Sequence, residues 1–149
     1  MKKVAIIGAN GKSGSTLVAE ALKQGYDVTG FARNKEYKNG AIKLVHKDVF
    51  ELSKADLAGF DVVISAIAAW TPQTFPLHAK MTQHIAELLS GTQTRLFVIG
   101  GAGVVEIRHA GEVEQVGGED VDAAVGVGVG QREQVAQRVW REAGFFVQL

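Results

Sequence analysis

The chain of 149 residues contains no cysteine, which excludes disulfides, thiolate nucleophiles and zinc–sulfur centres. Proline occurs twice, at Pro72 and Pro76, which punctuate a loop. No apolar run is long: the longest, over residues 62–70, falls far short of the ~18 residues a membrane span needs, and no membrane partner is expected. The apolar run after Lys2-Lys3 is broken at Gly8-Ala9-Asn10-Gly11, unlike a secretory leader, so a soluble cytoplasmic protein is expected. Neither sign of charge dominates, with 16 basic and 16 acidic residues. Without a clustered basic face a nucleic-acid partner is not expected. Nothing in the sequence fixes an oligomeric state.

The length fits one domain, residues 1–149, able to bury a core without staples. Strand and helix signals alternate through the first 103 residues. Residues 3–7 are a short apolar run ending in glycine, the mark of a buried strand. In residues 13–24, Leu17, Val18, Ala21 and Leu22 form a stripe at helical spacing, and Gly25 follows where a helix C-terminus favours positive φ. Residues 27–33 and 41–47 read as strands, the latter with Ile42, Leu44 and His46 on one face. Residues 52–57 read as at most a short helix. Residues 61–65 are apolar on both faces, as a central parallel strand should be. Leu77, Met81, Ile85, Leu88 and Leu89 make a second helical stripe, and residues 95–99 a fifth strand closed by Gly100-Gly101-Ala102-Gly103. This order predicts an α/β fold: a Rossmann-like, doubly wound parallel sheet in three α/β/α layers.

The rest differs in composition. Residues 104–149 have no lysine, and the 16 Ile plus Leu against 8 Val of residues 1–103 become 2 against 11. Residues 121–130 approach low complexity. Residues 131–143 could form a helix and 145–149 a strand. The change has two explanations: a long variable loop before a last helix and strand, or a shifted reading frame that leaves this part atypical or truncated.

The chemistry sits in Gly8-Ala9-Asn10-Gly11-Lys12-Ser13-Gly14, between the first strand and the first helix. Gly8 lets the chain turn off the strand, Gly11 lets backbone approach a pyrophosphate, and Gly14 lets the helix pack on the sheet. Free N–H groups and the positive end of the helix dipole then favour phosphates. The strand–turn–helix context supports a dinucleotide site. A P-loop is excluded, because the glycine required five positions before Gly11 would fall at Ile6. At the end of the second strand, an acid would accept the ribose hydroxyl of NAD. Arg33 stands there, with Lys35 beyond it. A guanidinium fork suits a 2′-phosphate, and Lys12 could help, so NADP is favoured over NAD. Asp48 could accept from the adenine amino group with Val49 covering the ring, or it could cap a helix before Phe50. Ser65-Ala66-Ile67-Ala68 ends the fourth strand, where small residues let backbone lie against a ribose.

With these segments placed, residues 1–103 resemble the atypical short-chain dehydrogenase/reductases, and more closely the NmrA-like NAD(P)H-binding proteins, the NADH-flavin reductases and the flavin-reductase form of biliverdin reductase. The resemblance rests on residues 4–14, on Ala32-Arg33-Asn34, on Lys47-Asp48-Val49 and on residues 97–103. It implies that Gly8, Asn10, Gly11, Lys12, Ser13 and Gly14 contact phosphates, Arg33 the 2′-phosphate, Asp48 and Val49 the adenine, and Ala66, Ile67 and Ala68 the nicotinamide side. Past Gly103 only residues 138–144 resemble the family, loosely matching its last helix.

Main-line members of that superfamily use a Tyr-xxx-Lys pair after the fifth strand. The only tyrosines here are Tyr26 and Tyr37, and no lysine follows Lys80, so that chemistry is excluded. No side chain stands out as catalytic, and none as a metal ligand: His78 and His84 are six apart and face differently on a helix. His46 reads as a packed core histidine. Asp56 and Asp61 read as caps. Trp70, His78 and Gly101 are weak candidates for the acceptor side, with a core or loop anchor favoured for Trp70 and a surface or half-buried histidine for His78. The expected function is hydride transfer from NAD(P)H to a small flat acceptor, with FMN or FAD as possible substrates. The alternatives are a non-catalytic dinucleotide sensor of the NmrA type and an inactive truncated or frameshifted reductase.

Overall fold

The computed structural model describes residues 2–67, 75–100, 103–109 and 112–115. Its elements are β1 (Lys3–Ile7), α1 (Lys12–Lys23), β2 (Asp27–Ala32), β3 (Lys43–His46), a single 3-10 turn (Val49–Glu51), β4 (Val62–Ser65), α2 (Phe75–Leu89), β5 (Arg95–Gly100), β6 (Gly103–His109) and β7 (Glu112–Gln115). They form one sheet in the order β3-β2-β1-β4-β5-β6-β7. The first five strands in that order are parallel. The chain winds outward from β1 to β3, then returns to place β4 on the other side of β1. The reversal between β1 and β4 is the switch point at which open α/β sheets bind ligands.

Strand alternation sends side chains to opposite faces, and both faces are covered. Val4, Ile6, Val28, Ile64 and Phe97 meet Leu17, Val18 and Ala21 of α1. Ala5, Ile7, Phe31, Val63 and Val98 meet Ile85 and Leu89 of α2, together with Val49, Leu52 and Leu57. Burial on both faces is why β1 and β4 read as continuous apolar runs instead of alternating ones. The expected three layers are present.

Two expectations need correction, and two strands were not foreseen. The short helical turn is Val49–Glu51, where Asp48 caps it, and residues 52–57 form no helix. His46 is half-buried on the edge strand β3, its Nε2 3.1 Å from the Tyr37 carbonyl oxygen, and is not a core residue. The parallel pattern also stops at β5. Residues 100 and 103 pair directly, and β6 runs back antiparallel along β5, with β7 antiparallel beyond it and an irregularity between Ile107 and His109. The sequence carries the signal for β6: Val105 and Ile107 alternate with Glu106 and Arg108, the two-residue period of a strand. The helix expected over 131–143 and the strand over 145–149 lie outside the described residues.

Candidate dinucleotide site

The site begins with a turn that its own glycines dictate. Gly8 has φ +81°, and a Cβ there would stand 2.8 Å from the Ala66 carbonyl oxygen. It therefore gives both the turn and the close approach of the end of β4; the second role was not apparent from the motif. The N–H groups of Gly8 and Ala9 both donate to the Phe31 carbonyl, at 2.9 and 3.2 Å, and Gly11 N–H donates to the Gly8 carbonyl at 3.1 Å. This folds the turn over the end of β2. Gly14 then brings α1 against it so closely that a Cβ would lie 1.9 Å from the Gly8 oxygen.

Gly11 differs. Its φ of −73° and ψ of 174° suit any residue, and a Cβ there would meet only the Gly8 oxygen, at 3.4 Å. Among the described residues no close contact or positive φ requires glycine at this position. Gly11 is the N-cap of α1, yet among the described residues no side chain caps the helix, and no acid lies in its first turn. The first bond into the helix is Ser15 N–H to the Gly11 carbonyl, 2.8 Å. Among the described residues, no acceptor meets the N–H groups of Lys12, Ser13 or Gly14. Helix N-termini are normally satisfied by a side chain, by water or by a ligand. Here three donors and the positive dipole end converge where glycine leaves the backbone bare, and that arrangement fits a pyrophosphate.

Neighbouring strands extend this edge. Arg33 leaves β2 with its side chain 80% exposed, and its Nη1 lies 3.9 Å from Oδ2 of Asp48, which is 35% exposed. The two meet because β2 and β3 pair in register, Ala32 opposite His46. Asp48 Oδ1 accepts from Phe50 N–H at 3.0 Å, so the capping reading holds and leaves the second oxygen toward Arg33. Val49 is 5% exposed and packs with the α2-side core. Ala66 N–H donates to the Ile7 carbonyl at 2.8 Å, which brings the end of β4 beside Gly8. Ile67 packs against the α2-side core. Asn10, Lys12 and Lys35 are exposed and Ser13 half-exposed. Residues Gly8 through Gly14, Arg33, Asp48 and Ala66 are thus gathered on one carboxyl edge. Ala68, Trp70, Gly101 and the His78 side chain lie outside the described residues.

The NAD(P)H-binding family profile matches residues 8–141, beginning at the first glycine of the turn. The chain belongs to this family. Among its relatives is the uncharacterized YwnB of Bacillus subtilis, 37% identical over 110 residues that cover 72% of this chain and 51% of YwnB. The crystal structure of SP1627 of Streptococcus pneumoniae, a candidate NADH-flavin reductase, is 51% identical with a TM-score of 0.64, covering 69% of this chain and 49% of that one. Lmo0794 of Listeria monocytogenes is 36% identical with a TM-score of 0.57, covering 69% and 61%. The chain thus spans about half the length of YwnB and of SP1627. The match bears out the expected NAD(P)-binding, NmrA-like reductase family.

Other polar groups of this NAD(P)H-binding domain serve the scaffold. Asp56 takes Ser53 N–H at 2.8 Å and Lys47 Nζ at 3.0 Å, and the Ser53 N–H bond followed by the Lys47 ammonium holds its carboxyl below the usual range. Asp61 Oδ2 accepts Lys3 N–H at 2.8 Å, so its side chain ties the start of β4 to β1 and is not a cap of the turn before it. His84 places Nε2 3.1 Å from the Leu52 carbonyl and tilts against Phe50, which ties α2 to the turn after Asp48. Gly30 escaped the motif reading: a Cβ there would meet Ile42 Cδ1 at 2.8 Å and Ala9 Cβ at 2.9 Å. The signal was a glycine inside an apolar strand, a common mark of close backbone approach. Among the described residues, no cluster of acids and histidines could hold a metal, and no helix is long and apolar enough to cross a membrane.

Proposed function

We propose that this domain binds NADPH in preference to NADH and passes hydride to a flavin or a similar flat, conjugated acceptor. The observation that carries the dinucleotide part is Gly11, a glycine that no close contact or positive φ among the described residues requires, at the uncapped start of α1. In this reading the backbone of residues 8–14 holds the pyrophosphate, with Lys12 adding charge. Arg33 meets the 2′-phosphate, aided by Lys35. Asp48 and Val49 border the adenine, and residues 66–68 the nicotinamide side. The bound dinucleotide supplies a hydride. What the protein contributes is alignment and exclusion of water, and neither demands an acid or base side chain. The acceptor gains two electrons and draws its balancing proton from solvent.

SP1627, named as a candidate NADH-flavin reductase, supports the choice of acceptor. The test is oxidation of NADPH and NADH by the purified chain with riboflavin, FMN and FAD in turn, alongside dinucleotide binding by thermal shift. A ligand confined to the folded state adds about 2.7 kcal/mol at a hundredfold excess over Kd. Turnover with any flavin supports the reductase. Tight dinucleotide binding without turnover would overturn it in favour of a sensor that reports dinucleotide level. One observation favours that second reading: Tyr26 and Tyr37 precede β3, so neither can supply the late Tyr-xxx-Lys pair.

A further inference from the structure

The pair formed by Arg33 and Asp48 carries a consequence for cofactor choice, on the reading of Arg33 as the 2′-phosphate residue. We infer that the Asp48 carboxylate tempers the pull of Arg33, so that this site accepts both NADH and NADPH and discriminates between them by less than about tenfold.

Asp48 is fixed where it stands. Its Oδ1 is committed to Phe50 N–H at the start of the 3-10 turn, and its Oδ2 faces Arg33 Nη1 at 3.9 Å. Among the described residues the guanidinium has no other partner, and it can meet a ligand from where it stands. A phosphate oxygen bonded to Nη1 at about 2.8 Å would therefore lie within about 7 Å of the Asp48 carboxylate. That is inside the Debye length of about 8 Å at physiological salt. A phosphate monoester carries between one and two negative charges at neutral pH, and the fixed carboxylate repels them. NADH, with a hydroxyl in place of the phosphate, feels no such repulsion. Asp48 thus subtracts from NADPH affinity alone part of what Arg33 adds.

Asp48→Asn isolates this effect, because the amide keeps its oxygen for Phe50 N–H and removes the charge that faces Arg33. Any change in the turn or in the adenine contact is common to both dinucleotides and cancels in the ratio of their dissociation constants. The expected result is a parent ratio below about tenfold in favour of NADPH, rising a further threefold to tenfold, roughly, in Asp48→Asn at low salt. The rise should shrink when salt is added. A parent ratio above tenfold, or a ratio unchanged or lowered by the substitution, would overturn the inference while the dinucleotide site stood. Failure of the parent chain to bind either dinucleotide would overturn the site itself.

Discussion

The two edges of the parallel sheet are built on opposite terms. At the amino edge the strand ends are tied to one another. Asp27 N–H donates to the Lys2 carbonyl and Asp61 N–H to the Lys3 carbonyl, both at 2.9 Å, and Arg95 N–H donates to the Asp61 carbonyl at 3.1 Å. Lys3 N–H reaches Asp61 Oδ2 at 2.8 Å, and Thr94 Oγ1 donates to the Phe60 carbonyl at 2.7 Å. Those bonds run across β2, β1, β4 and β5. At the carboxyl edge the turn is equally well made between Gly8 and Phe31, yet among the described residues the start of α1 is left with open donors and no side-chain cap. Lys12 is exposed and Ser13 half-exposed, so water meets those donors until a ligand does. In the proposed function the dinucleotide phosphates take the place of partners at the open edge.

The sharpest way to break this comparison is to substitute the two glycines that look alike in the motif. Gly14→Ala should cost about 3 kcal/mol or more, because its Cβ would sit 1.9 Å from a backbone oxygen that cannot move without the turn moving too. Urea denaturation measures this, and a melt like that of the parent would show that α1 is free to shift. Gly11→Ala should largely spare the fold. Its φ and space both accommodate a methyl group, and the reduced flexibility of the unfolded chain offsets part of the N-cap preference for glycine over alanine, so stability should fall by no more than about 1 kcal/mol. Dinucleotide affinity should nonetheless fall tenfold or more, roughly, since the methyl occupies the approach to the phosphates. Unchanged affinity in Gly11→Ala would remove the observation on which the proposed function rests.

A smaller effect is expected at the closed edge. Asp61→Ala removes the acceptor for Lys3 N–H but leaves its backbone bonds in place. A partly solvated hydrogen bond of this kind is worth about 0.5–1.5 kcal/mol. Stability should fall by that amount with no change in dinucleotide affinity, as measured by denaturation and titration on the same preparation. A parallel loss of affinity would show that the two edges are not independent.

How far the sequence discloses these edges depends on the range of the interaction. Residues 3–7 and 62–65 were legible as central strands because both faces are buried, which writes a continuous apolar run into a few residues. The roles of Gly8 and Gly14 were legible because a strand–turn–helix junction is local. The part of Gly8 facing Ala66, the fit of Gly30 against Ala9, and the Arg33 contact with Asp48 were not legible. Each joins residues from different strands, and only strand order places them together. Asp48 shows the limit plainly: capping and ligand contact were posed as alternatives, yet one oxygen caps Phe50 and the other is left facing Arg33. The hairpin of β6 and β7 was missed for another reason. Its alternation is present, but it is short and lies where the composition of the chain changes abruptly.

The mildest test joins the two edges through Asp56. Its side chain is 18% exposed, bonded to Ser53 N–H and paired with Lys47 at 3.0 Å, and Lys47 immediately precedes Asp48. The Ser53 bond and then the Lys47 ammonium lower its carboxyl below the ordinary value, which is about 3.9 in an unfolded chain. The folded state therefore binds this proton more weakly than the unfolded state does. The resulting stability is fully present above the unfolded value and is lost as pH falls through it toward the folded one. Urea midpoints should accordingly hold level from about pH 7 to pH 5, as far as this group is concerned, and decline below about pH 4. Asp56→Asn should flatten that decline and cost about 1 kcal/mol at neutral pH, since the amide still accepts from Ser53 but no longer pairs with Lys47. The ratio of NADPH to NADH affinity should not move, because Asp56 reaches the site only through the backbone of Lys47. A shifted ratio would mean that the support beneath β3 sets the position of Asp48, and the open edge would then owe its selectivity to the closed scaffold behind it.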